Sequence, residues 1–453
     1  MRILLLLTSL LFAVPVSASE APIASPRLAA LQAQLDGRND GGDVAAFWAD
    51  VRAKGTPLIE PVAGEPAQMT LTFLWREPTD RDHIDLGVFG VFNATPWQTG
   101  DPLIRLAHTD IWYRSYRVSA ALRAQYMLIG RDGAARGAKP QRAWSHTDEA
   151  GRDRDFDLFL DPLNPRTIDD VYFLPHSRES IFDGPDAPRE TWLAPKPARL
   201  HGRMIDLTIR SAVLGNERNL AVYVPDPSLT KGKPPGLLLL FDGPSYRAAG
   251  RVPEMLDRMI AAGAIAPTVA VMVDSITLDN REKELAPNEP FTRFIAEELM
   301  PMLRTRFGLS GDPRKTVIAG ASRGGQSASF IAMRHPELFG NVIAQSPALW
   351  WGPSEADMDT HWLARAFENR DRLPIRFYIQ MGTLEDAKSM LGTARHFQEI
   401  LHSKGYDVTY REFVGGHTFF SWRAILPQAL TALLPAEERR AEAVTEGRHA
   451  AVP

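Results

Sequence analysis

Lys315-Thr316-Val317-Ile318-Ala319-Gly320-Ala321-Ser322-Arg323-Gly324-Gly325-Gln326 runs, within twelve residues, from an apolar strand through a glycine-rich turn into a helix. Lys315 to Ala319 is short and apolar, as a buried strand is, and Gln326 to Met333 is helical in period. Between them lies Gly-x-Ser-x-Gly, and in a strand–turn–helix setting that pattern is a nucleophile elbow. The turn is so tight that side chains at the flanking glycines would meet the neighbouring strand and helix. The serine takes a strained backbone conformation that lifts its oxygen clear of the sheet, beside the positive end of the new helix. Ser322 is the candidate nucleophile.

A serine hydroxyl is a weak nucleophile without a base. In this elbow geometry the partners follow in the order serine, acid, histidine. Of eleven histidines, five lie between Ser322 and the charged tail: His335, His361, His396, His402 and His417. His335 precedes Pro336 and reads as a helix C-terminal cap. His396 and His402 sit in a helical stretch, and His361 lies in a polar loop. His417 directly follows an expected strand, Asp407 to Phe413, and two glycines before it (Gly415-Gly416) let the chain turn and present the ring over the sheet edge. It is the candidate general base. The acid belongs beyond the preceding strand, Ile375 to Gln380, where the chain reads Gly382-Thr383-Leu384-Glu385-Asp386. Either carboxylate could hold the ring tautomer; Glu385 is the first choice, with Asp386 the alternative. An oxyanion needs two backbone N–H donors. One is Arg323, next to the serine. The other belongs in Asp242-Gly243-Pro244-Ser245, where proline has no N–H, so it is Gly243 or Ser245.

The surrounding pattern agrees with this chemistry. From about residue 198, apolar strands (220–224, 236–241, 268–273, 315–319, 341–345, 375–380 and 407–413) alternate with helical stretches (253–262, 291–307, 326–333 and 387–404). Apolar strands separated by helices mean a largely parallel sheet with helices on both faces, an α/β-hydrolase. The first half reads otherwise. A helical stretch at 25–53 is followed by short strands at 69–75, 86–92, 109–118 and 124–129, spaced by Gly, Pro and Asp as in a small β-sandwich. Residues 151–197, rich in Pro, Asp and Arg, read as an irregular arm. The expected division is therefore 1–18, 19–197, 198–436 and a charged tail, 437–453.

Composition narrows the function. With 44% hydrophobic and 23% charged residues, the 453-residue chain is long enough for two or three packed domains. Its net charge of -4 leaves no footprint for nucleic acid. With no cysteine, thiolate metal sites, disulfides and a cysteine nucleophile are excluded. Arg2, the apolar run Ile3 to Val16 and Val16-Ser17-Ala18 read as a cleaved export signal, with no membrane anchor after cleavage and a periplasmic destination.

These residues resemble a known family. The second half is similar to the esterase-D-type hydrolases, specifically the enterochelin (enterobactin) esterases. The resemblance is carried by Leu214-Gly215-Asn216, Asp242-Gly243, Arg281 with Glu284, Glu298-Leu299-Met300-Pro301, the elbow, His335 to Gly340, Ser346 with Trp350-Trp351, and Gly415-Gly416-His417 followed by Trp422-Arg423. In the first half, Leu71 to Arg76, Trp112, Tyr113, Tyr126 and Asp161-Pro162-Leu163-Asn164-Pro165 look like the sandwich domain that precedes the hydrolase in those enzymes. The resemblance implies hydrolysis of serine ester bonds in a cyclic tris-catecholate siderophore, with Ser322, His417 and Glu385 as triad and no cofactor. Its ferric substrate is anionic and aromatic, so Arg281, Arg323, Arg423, Trp350 and Trp351 are candidate substrate contacts. The sandwich is expected to overhang the site. Two other readings stand beside this one. The first is an exported carboxylesterase of a feruloyl, acetyl-sugar or antibiotic-lactone ester; the second is a non-catalytic siderophore-binding protein on the same fold.

Overall fold

A computed structural model of the chain describes residues 24–36, 41–77, 84–90, 92, 100–130, 139–140, 142–147, 153–170, 177–194 and 199–436. The expected export signal and the charged tail lie outside the described residues.

Eight strands form the second-half sheet: β1 (Arg203–Ser211), β2 (Asn216–Val224), β3 (Gly236–Leu240), β4 (Thr268–Val273), β5 (Thr316–Ala321), β6 (Asn341–Gln345), β7 (Arg376–Gly382) and β8 (Asp407–Phe413). Their order is β1-β2-β4-β3-β5-β6-β7-β8. β1 and β2 are antiparallel, β2 meets β4 antiparallel, and β3 to β8 run parallel. The sheet interior is apolar because both faces are covered. Leu237 and Leu239 point to one core, with Phe294, Leu303, Phe367 and Phe397; Leu238 and Leu240 point to the other, with Leu256, Met259, Leu426 and Leu430. Each such leucine contributes about 1.5–3 kcal/mol by leaving water. The edge strand β1 was not read from the sequence, because its alternation of exposed and half-buried residues lacks a continuous apolar run.

Two helices matter for the site. α1 (Arg323–Arg334) follows the elbow, and α2 (Phe419–Leu433) follows the histidine loop. α2 was not anticipated: it is apolar almost throughout and carries Pro427 in its interior, which hides the helical period.

The first half is a sandwich. One sheet pairs Leu58–Val62, Glu65–Arg76, Ile111–Ser119 and Ile104–Arg105; the other contains Thr167–Asp170, Ser177–Asp183, Arg123–Gly130, Leu86–Gly90 and Asp101–Pro102, joined by Asp153–Phe159 and Arg142–Thr147. Phe73, Trp75, Tyr126 and Phe182 fill the space between them. The 25–53 stretch is two helices, Pro26–Leu35 and Gly41–Lys54, whose Leu28, Trp48 and Val51 pack on Leu58, Leu74 and Ile111. The expected irregular arm is corrected in part. Asp153–Phe159, Thr167–Asp170 and Ser177–Asp183 are strands, since Phe156, Leu158, Ile168 and Ile181 turn inward while Asp155, Asp169 and Arg178 face out. Between them, the Asp-Pro-Leu-Asn-Pro segment is tied by its own polar atoms. The buried Asp161 carboxylate accepts from Thr56 Oγ1 at 2.7 Å and Tyr126 Oη at 2.8 Å, and Asn164 donates to Tyr126 Oη and to the Ile181 carbonyl.

Candidate active site

The parallel strands end on one edge of the sheet, and the elbow stands at its centre. Ser322 has φ 58° and ψ -125°, a conformation that a non-glycine residue holds only when its surroundings enforce it. They do so through backbone bonds: the Ser322 N–H donates to Gln345 O at 2.9 Å, and the Ser322 carbonyl accepts from Gly325, Gln326 and Ala348. A Cβ at Gly320 would stand 2.4 Å from the Gly324 carbonyl carbon, so that position must be glycine. Ser322 Oγ therefore sits at the start of α1, 9% exposed at the residue level.

His417 Nδ1 lies 2.8 Å from Glu385 Oε2. With Nδ1–H donating to the carboxylate, Nε2 carries the lone pair a general base needs. The ring rests edge-on against Trp422, centroids 4.9 Å apart. No hydrogen bond joins Ser322 Oγ to His417 here; catalytic contacts of this kind often close only around substrate. Glu385 is almost fully enclosed, whereas Asp386 caps the segment after it, accepting from the N–H groups of Lys388 and Ser389. Those caps hold the Asp386 carboxyl below its ordinary pKa. The structure thus brings Glu385, and not Asp386, to the histidine.

The second donor loop is equally constrained. The Ser245 N–H is used on Asp242 O at 3.0 Å, so of the two candidate donors only the Gly243 N–H is without a backbone acceptor. A Cβ on Gly243 would meet the Met272 carbonyl carbon at 2.5 Å, so the loop lies pressed on β4. Arg323 opens α1, where backbone N–H groups favour an anion.

Two expected substrate contacts are corrected. Arg281 is 4% exposed and forks onto Asp242, Nε to Oδ1 at 2.7 Å and Nη2 to Oδ2 at 2.9 Å. It braces the loop carrying Gly243. Glu284, its neighbour in the sequence pattern, pairs instead with buried Arg218 at 2.7 and 2.9 Å. Arg423 forks onto Glu190, Nε to Oε1 at 2.5 Å, and reaches the Ala249 carbonyl. Charges that far from water are retained because they are paired. The Arg323 guanidinium carbon stands over the Trp351 ring, 3.4 Å from its centroid, and the group pairs with Glu282; Trp350 meets Trp351 edge-on, and both indoles are half-buried.

Sequence reasoning named Ser346 only among the residues that carry the resemblance and gave it no role beside the carboxylate. Ser346, left-handed at φ 43° just after β6, donates its hydroxyl to Glu385 Oε1 and accepts from Trp422 Nε1 at 2.9 Å. Its place just after a parallel strand is the signal for such a role, since that edge of the sheet is where the site residues gather. Below, Gln345 accepts from Tyr246 Oη and donates to Gln380 and the Trp422 carbonyl, so β6, β7 and α2 share one satisfied network.

Two family models match the chain: putative esterase over residues 211–433, and enterochelin esterase N-terminal domain over 70–193. The chain belongs to the enterochelin esterase family. It is 28% identical over 432 residues to the iron(III) enterobactin esterase of Dickeya dadantii, covering 87% of this chain and 94% of that protein. It is 26% identical to the iron(III) salmochelin esterase of an Escherichia coli O6:H1 strain, covering 84% and 91%. Its fold matches the crystal structure of ferric enterobactin esterase from Salmonella typhimurium at a TM-score of 0.68 and 23% identity, over 86% of this chain and 98% of that one. As a member of this family, the chain is a serine ester hydrolase with an α/β-hydrolase fold behind an N-terminal domain.

Proposed function

We propose that this enterochelin esterase family member hydrolyses the serine ester bonds of a cyclic tris-catecholate siderophore, and that it does so in the periplasm. The observation that carries the reading is the Glu385–His417 pair at the sheet edge that bears the Ser322 elbow, in a chain that also holds the enterochelin esterase N-terminal domain. Ser322 Oγ attacks the ester carbonyl while His417 Nε2 takes its proton. The carbonyl oxygen becomes an oxyanion between the Gly243 and Arg323 N–H groups. Collapse breaks the ester C–O bond, and His417 returns the proton to the departing seryl hydroxyl, leaving an acyl-enzyme. His417 then takes a proton from water, whose oxygen attacks the acyl carbon, and the acid product leaves with Ser322 restored. Each cycle opens one ester. Arg323 and the half-buried Trp350–Trp351 pair offer the cation and flat apolar surface that an anionic catecholate complex requires. Iron is cargo in the substrate. Export is supported by the Arg2 start, the apolar run 3–16 and Val16-Ser17-Ala18.

Mass spectrometry of products tests the reading. Wild type is expected to linearise and shorten the tris-catechol trilactone, ferric or iron-free, while Ser322→Ala leaves it intact with a rate loss of at least about 1000-fold. Cleavage of a short-chain ester with the trilactone untouched would discard the siderophore. Fractionation of expressing cells, with N-terminal sequencing expected to begin near Ser19, tests export.

A further inference from the structure

The loop that carries His417 does not belong to the hydrolase domain alone. Val414, three residues before the histidine, packs against the sandwich core of Phe73, Tyr126 and Phe182. Three residues after it, Phe420 lies under two guanidiniums, Arg123 of the sandwich at 4.0 Å from the ring centroid and Arg423 at 4.7 Å. Ser421 Oγ donates to the Arg123 carbonyl at 3.4 Å. Glu190, at the end of the first half, bridges both cations: Arg123 Nη2 at 3.0 Å and Arg423 Nε at 2.5 Å. Arg123 is 3% exposed, and Asp183 and the Pro188 carbonyl complete its contacts. Two like charges stacked on one ring would repel; the shared carboxylate makes the arrangement stable.

We infer that the sandwich domain positions the catalytic histidine. It holds the β8–α2 loop on both sides of His417, with Val414 against its core and the Arg123–Glu190–Arg423 cluster on Phe420 and Ser421. This rests on the reading of His417 as the general base. Arg123 and Glu190 touch neither the reacting atoms nor Glu385; they act through Phe420 and Ser421 on the loop, and through Trp422 beside the ring. Misplacing a base by a fraction of a contact distance is enough to slow turnover 10- to 100-fold.

The test uses the full-length protein with wild type, Glu190→Gln, Arg123→Met, Arg123→Lys and His417→Ala. The substrates are p-nitrophenyl butyrate, which is too small to need a sandwich wall, and the tris-catechol trilactone. Glu190→Gln preserves volume, so a folding failure of Arg123→Met leaves the experiment decisive; melting temperatures are recorded and rates are taken well below them. The expected result is a kcat about 10-fold lower or more for Glu190→Gln and Arg123→Met on both esters, with KM unchanged and partial recovery in Arg123→Lys. A lower melting temperature with wild-type kcat would overturn the inference, making the cluster a stabilising clasp only. A raised KM for the trilactone with an unaltered rate on the small ester would also overturn it, making the sandwich a substrate wall. His417→Ala retaining full activity on the small ester would overturn it at its base. A wild type that cuts only p-nitrophenyl butyrate rejects the siderophore substrate alone, and the small-ester kcat values still decide the positioning role.

Discussion

At the scale of single residues, the site depends on side chains whose partners are distant in sequence. Glu385 accepts from His417 and Ser346 at once, and Ser346 is itself held by Trp422. Ser346→Ala removes one hydrogen bond to a charged acceptor and leaves the indole N–H unpaired. The expected outcome is a kcat about 10-fold lower with little change in KM, equivalent to about 1.4 kcal/mol, in steady-state assays on a short ester. Glu385→Gln permits the wrong histidine tautomer and is expected to lower kcat by about 10⁴-fold, whereas Asp386→Asn, at the exposed cap, leaves kcat near wild type. Ser322, the elbow glycines and His417 were legible because their chemistry is written in consecutive residues. Glu385 is the sequence's first choice over Asp386, but two adjacent carboxylates differ only in which way the folded loop turns them, and that the fold decides.

At the scale of elements, a loop between β3 and the following short helix presents Gly243, and its shape is maintained by Asp242 in a left-handed conformation at φ 56°. Arg281, from the helix Leu278–Glu284, neutralises that aspartate where water has little access. Arg281→Ala strands a buried carboxylate, and the expected loss is about 3–5 kcal/mol of stability by denaturant titration. A reduced kcat should accompany it, since the Gly243 N–H moves with the loop. From sequence alone Arg281 had the right charge for an anionic substrate. Burial reassigned it, because a cation inside the protein is kept by its nearest carboxylate. Arg423 was reassigned for the same reason.

At the scale of the whole molecule, two domains meet where the histidine loop, α2 and the end of the sandwich converge. The chain enters the hydrolase domain at His201-Gly202, whose N–H groups donate to Asp257 at 3.0 and 2.8 Å, with Tyr223 Oη at 3.0 Å. Burial raises the pKa of the Asp257 carboxyl, but these donors outweigh it and leave the group below its ordinary value. A depressed carboxylate contributes stability above its unfolded pKa of about 3.9, and that contribution is lost as pH falls through the folded value. Asp257→Asn is therefore expected to be less stable than wild type at pH 7 and to lose less stability on acidification from pH 5 to pH 2. Thermal melts across that range check it.

Local pattern by itself determined the parallel α/β sheet, the sandwich before it, the serine elbow and the histidine after the last strand, because periodicity and glycine turns act over a few residues. Tertiary structure alone decided which carboxylate meets the histidine, which backbone N–H remains for an oxyanion, and which arginines are already paired. It also decided that the sandwich grips the histidine loop. Those outcomes depend on distances between residues far apart in the chain, and on how completely water is excluded between them.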